Sequence, residues 1–180
     1  MHNPLDQVRC LDLSKADVPS DKEKLREIRD IPLDFPPKHM NDVFCIGDPS
    51  ILSKHVHLDF SEDLYFIGKA FYIMQGLTTE LKTIGEKRAY ALLGKRNMIH
   101  IPPLAAHVVI VEKNTSIIGF YDKHTNRGKT LPYEFDNIPL ILIRQILDNP
   151  LKINKKSIEK ACGAKLIYPN ENKASRIKKV

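Results

Sequence analysis

His55-Val56-His57-Leu58-Asp59 is the stretch whose residue types and spacing come nearest to a reaction centre. Lys54 to Phe60 alternates polar and apolar residues, which predicts a strand. On a strand every second side chain faces the same way. His55, His57 and Asp59 therefore share one face, with Val56, Leu58 and Phe60 on the other. Two imidazoles and a carboxylate can hold Zn²⁺ or Fe²⁺ and leave positions for water or substrate. His39, His100, His107 and His124 are available as further ligands. The plainer reading is that an antiparallel strand turns its polar face to solvent, and alternation alone explains the pattern.

The His-x-His pair resembles that of the amidohydrolase family, where it ends the first strand of a barrel. The resemblance stops at this stretch. A barrel needs about 200 residues or more, and the alternating strand series is missing, so the family is not assigned. Arg127-Gly128-Lys129-Thr130 carries the end of a phosphate loop, but Lys123 stands where the loop's first glycine belongs and Leu131-Pro132 follows in place of a helix. What remains is an anion contact by His124, Arg127 and Lys129, weighed against an ordinary solvated loop. Cys10, Cys45 and Cys162 are odd in number and none has Cys-x-x-Cys spacing, which favours a reducing compartment over a disulfide framework. No catalytic residue is assigned.

Charge is distributed unevenly. Residues 1–63 hold 8 basic and 13 acidic residues, whereas residues 64–180 hold 20 and 9. The basic side chains crowd toward the end of the chain, with Lys155, Lys156, Lys160, Arg176, Lys178 and Lys179 as the candidate contacts for an acidic protein surface or a nucleic-acid backbone. A solubilising tail is the bland alternative. The N-terminus shows no apolar leader and no stretch is long enough to span a bilayer, so a cytoplasmic protein is expected.

The elements expected to position these residues make one α+β domain: a small, mostly antiparallel sheet packed by two to three apolar helices. Residues 1–41 read as an acidic segment with a short surface helix from a Ser20–Glu23 capping box. Residues 42–168 form the core and 169–180 a basic flexible tail. Val43–Ile46 reads as a buried strand. Ser61 to about Gln75 is apolar nearly all round and reads as a buried helix. Thr79 to Leu93 reads as a second helix. His107–Glu112 and Ser116–Asp122 read as a hairpin, the first strand central because both its faces are apolar. Further helices are expected after Asn137 and over Asn154–Cys162, with a last strand at Lys165–Tyr168. The functional expectation is a non-enzymatic adaptor engaging an acidic partner through its basic C-terminal third. The alternative is a metal-dependent hydrolase or oxygenase using His55, His57 and Asp59, with Zn or Fe.

Overall fold

Strands dominate the molecule. The computed structural model describes residues 2–13, 20–21, 26–27, 35–47, 50–123, 128–149 and 154–171. A short 3-10 turn at Pro4–Gln7 leads into β1 (Arg9–Asp12). β2 (Ser20–Asp21) and β3 (Arg26–Glu27) pair antiparallel. Then come β4 (His39–Cys45), β5 (Ser50–His57), β6 (Glu62–Ile67), β7 (Ala70–Leu77) and β8 (Thr83–Leu92). β9 (Arg96–Ile101), β10 (Ala105–Val111), β11 (Thr115–Tyr121) and β12 (Thr130–Pro132) follow. Helices α1 (Leu140–Asp148) and α2 (Lys155–Cys162) precede β13 (Lys165–Ile167) and β14 (Asn170–Glu171).

Two six-stranded sheets face each other. The first has the order β14-β1-β9-β6-β11-β4 and the second β12-β5-β10-β7-β8-β13. All their pairings are antiparallel except β1–β14 and β8–β13. Their facing sides interdigitate through Leu64, Phe66, Tyr72, Met74, Leu92, Ile99, Ile101 and Val109. The outer side of the second sheet is covered by α1 and α2, whose Ile143, Ile146, Leu147 and Ile158 pack on Val56, Phe71, Ile73, Val108 and Ile110.

The expected α+β architecture is therefore corrected to a β-sandwich with two helices on one outer face. The strongest helix candidate, Ser61–Gln75, is β6 and β7, which lie in different sheets. Its apolar character has a simple cause. Ala70, Tyr72 and Met74 face the sandwich interior while Phe71, Ile73 and Leu77 face the helices, so neither side of β7 needs polar residues. Gly68 makes the corner between the sheets at φ 127°, and a Cβ there would lie 2.5 Å from Thr115 Oγ1. The candidate helix Thr79–Leu93 is β8, hairpinned to β7.

The β10 and β11 strands form where expected, and β10 is central, but they do not pair with each other. β10 lies between β5 and β7, and β11 between β4 and β6. Val43–Phe44 lies in a strand, as expected, yet at a sheet edge, where Val43, Phe44 and the following Ile46 are exposed. Of the helix expected from Ser20, Ser20–Asp21 and Arg26–Glu27 are extended instead, and the rest lies outside the described residues.

Both C-terminal helices appear. α2 is capped by the Asn154 side chain, which accepts from Lys156 N, and is closed by Gly163 at φ 58°. α1 ends at Asn149 as expected, but Pro139 rather than Asn137 stands at its N-cap. No helix among the described residues is long and apolar enough to cross a membrane.

Candidate metal centre

Strand parity assembles the site. On β5, Val56 points outward beneath the helices, so His55 and His57 point into the sandwich. The expectation that the polar face meets solvent fails because both faces of this strand are covered. His107 on β10 sits opposite His55 in register. Glu62, the first residue of β6, reaches in from the other sheet on the same side as Leu64 and Phe66. One ligand atom from each of His55, His57, Glu62 and His107 lies within 4.8 Å of all the others.

The contacts are close. His55 Nε2 is 3.0 Å from His57 Nε2. Glu62 Oε1 is 3.3 Å from His57 Nε2 and 3.1 Å from His107 Nε2. On the far side of its ring, His107 Nδ1 lies 3.0 Å from Ala105 O. A carbonyl only accepts, so Nδ1 carries the proton and donates it. In the neutral ring Nε2 is then a bare lone pair aimed at a carboxylate oxygen. Glu62 Oε1 is itself fully buried with no hydrogen-bond donor assigned to it. Acceptors facing acceptors in a buried space require a cation between them, either a proton or a metal ion.

Electrostatics agree. Burial alone would raise the Glu62 carboxyl, but the charge that His57 and His107 carry when protonated, with the hydrogen bonds those cationic rings donate, outweighs it and holds the group well below the usual carboxylate range. Burial, with the neighbouring His107 and His57 charges, pushes His55 down to about 3, so its ring is neutral at physiological pH. Burial and then the Glu62 charge raise the phenols of Tyr72 and Tyr121. The Phe60 ring, 1% exposed, lies 4.1 Å from the His57 ring and walls it from water.

Asp59 is not part of this group. The strand ends at His57, and the Asp59 carboxylate accepts from Lys129 N at 2.8 Å and Lys123 Nζ at 3.1 Å, bonds that lower its pKa. His39 packs against Tyr121, and His100 pairs with Asp63 on the outer side of the first sheet. Among the extra histidines only His107 joins the centre, while His124 lies outside the described residues along with Arg127, Arg176, Lys178 and Lys179. Lys129 is exposed and its backbone serves Asp59. Lys155, Lys156 and Lys160 are exposed on α2, outside the second sheet and apart from the centre. All three cysteines are buried and unbridged, and burial raises their thiols, Cys162 to about 11.

Glu62 is the member of this group that the sequence concealed. In a helix beginning at Ser61, Glu62 would fall in the first turn and serve only as a dipole partner. Read as a strand residue, it shares a face with Leu64 and Phe66, and a carboxylate on an otherwise apolar buried face is itself a signal.

No protein-family model matches the sequence, and no curated protein matches it. Solved structures do match the fold. The TDP-fucose-3,4-ketoisomerase WlaRA of Campylobacter jejuni is 14% identical, with a TM-score of 0.52 over 81% of this chain and 98% of that one. A dTDP sugar isomerase of Desulfovibrio desulfuricans is 13% identical, with a TM-score of 0.54 over 78% and 92%. The sugar 3,4-ketoisomerase QdtA of Thermoanaerobacterium thermosaccharolyticum, in complex with TDP, is 13% identical, with a TM-score of 0.54 over 71% and 88%. The shared architecture is the cupin-type β-sandwich. These neighbours are enzymes, and the adaptor reading, which leaned on the lack of an assembled reactive centre, is corrected accordingly. In the alternative metal-dependent reading His55 and His57 stay in the group, while Asp59 is replaced, since that carboxylate is engaged elsewhere.

Proposed function

We propose that this chain is an enzyme whose reaction centre is His55, His57, Glu62 and His107 holding a divalent transition metal, and that it acts on a small carbonyl-bearing substrate of the sugar class. The observation that carries the metal is the convergence of three imidazole nitrogens on a buried carboxylate oxygen with no donor assigned to it. Nitrogen and carboxylate donors in this mix suit Zn, Fe(II), Mn or Ni. When bound, the ion supplies Lewis acidity toward a substrate oxygen. Glu62 stays anionic and offsets the cation's charge. His107 is aimed by Ala105 O, and Phe60 excludes water from the His57 side. His55 serves as a ligand rather than a general base, because a base with a pKa near 3 is poorly matched to proton abstraction at neutral pH. The substrate class is supported by the fold neighbours, which are described as isomerases of nucleotide-linked sugars.

Elemental analysis after expression with Mn, Fe, Co, Ni and Zn supplied tests the centre. One ion per chain is expected, and it should be lost in Glu62→Gln and His107→Ala variants that retain the far-UV circular dichroism of the parent. Metal-free wild-type protein under every supply refutes the centre. Deuterium incorporation into a TDP-linked keto sugar, followed by NMR, tests the substrate class, and no exchange above the Glu62→Gln background rules it out.

A further inference from the structure

We infer that Thr130 is the positioning residue of His57: its hydroxyl accepts the His57 Nδ1–H and so presents the Nε2 lone pair to the centre. The inference deepens the metal-centre reading and rests on it for its purpose. The Thr130 Oγ1 atom lies 3.1 Å from His57 Nδ1, on the side of the ring away from Glu62. His57 is 4% exposed, so an Nδ1–H without that partner would be poorly solvated.

Strand pairing carries Thr130 to this position. β12 pairs with β5 so that Thr130 falls opposite His57. Leu58 N donates to Lys129 O at 2.8 Å, and Asp59 takes Lys129 N in return. These two bonds pin both backbone polar groups of Lys129, the residue directly before Thr130. Of the basic loop that resembles the end of a phosphate-binding motif, the threonine is thus the part the centre uses. The two oriented imidazoles differ in kind. His107 is aimed by a backbone carbonyl of its own strand, which no substitution removes. His57 is aimed by a side chain on a three-residue edge strand, which a substitution can remove. Outer partners that fix the tautomer of a ligating imidazole typically change metal affinity by 10–100-fold. Thr130 is exposed, so water can replace its hydroxyl in part, and the effect belongs at the lower end.

The test compares wild type, Thr130→Val and Thr130→Ser. Nitrogen NMR of metal-free protein at alkaline pH reads the His57 tautomer, and Co(II) titration reads affinity. Wild type and Thr130→Ser should both carry the proton on Nδ1. Thr130→Val should shift population to the Nε2–H form and weaken Co(II) binding about tenfold, with the serine variant restoring wild-type affinity. A wild-type His57 protonated on Nε2, or a valine variant equal to wild type in both measurements, overturns the inference. If Thr130→Val does not fold, the wild-type and serine tautomers decide it. If wild type takes up no Co(II), the metal-centre reading fails separately, and the tautomers still judge Thr130.

Discussion

Replacing His55 by Gln in metal-free protein should flatten the acid side of the stability curve. The imidazole is held neutral down to about pH 3 in the folded protein, against an ordinary value of 6.5. Between those limits the unfolded chain binds one proton that the folded chain refuses, so stability falls as pH falls. The slope is about 1.4 kcal/mol per pH unit for a whole proton. From pH 6.5 to 5 this amounts to about 2 kcal/mol, reduced to roughly 1–2 kcal/mol because the ring keeps some contact with solvent. Against a typical total of about 5–15 kcal/mol that is readily measured. The depressed Glu62 carboxyl contributes stability that is present above 4.5, its unfolded value, and is lost only as pH falls below that, so the window from 5 to 6.5 belongs to the histidine. Urea unfolding with a chelator present, followed by circular dichroism at pH 7.5, 6.5, 5.5 and 5, gives the comparison. Relative to wild type, the Gln variant should gain roughly 1–2 kcal/mol at pH 5 over its standing at pH 7.5. Parallel curves for the two proteins would refute the reasoning.

Asp59→Asn should leave metal stoichiometry unchanged, since this carboxylate serves Lys129 N and Lys123, and loss of the ion on elemental analysis would contradict the assignment. Gly68→Ala should cost about 1–3 kcal/mol in denaturant unfolding, because the added Cβ strikes Thr115 and the backbone is left-handed there; an unchanged midpoint would count against a tight corner. Ile143→Ala, at the centre of the helix layer, should cost about 2–5 kcal/mol in the same assay while leaving metal uptake intact, as it packs on the face opposite the centre.

Local signals carried some elements and not others. Asn154 and Gly163 bracket α2 with side-chain and left-handed caps, and such chemistry is legible without tertiary context. The apolar faces of β10 announce a central strand for the same reason. Leu64–Gln75 misleads because burial on both sides erases the period of two, and an unbroken apolar run does not distinguish helix from strand. The crowding of Tyr65, Phe66, Phe71, Tyr72 and Ile73 favours strand, but Gly68, where the chain changes sheets, has no local signature of that switch. The site divides along the same line. His55 and His57 are visible from spacing within one strand, and His107 as an available imidazole. Glu62 depends on β6 being a strand, and Thr130 on an edge pairing 73 residues distant in sequence.

Three of the four side chains at the centre hang from one layer, while the carboxylate alone comes from the layer opposite. β5 and β10 can bring the imidazoles together by zipping a single sheet, but the acid arrives only when the halves clasp. A captured ion would then rivet the two halves at their interior. Because neighbouring residues on β6 point opposite ways, sliding that strand by one place would swap Glu62 for Ser61 or Asp63 and unfasten it. Loading should therefore slow amide exchange on both sides of the cleft at once, including strands that contribute no ligand.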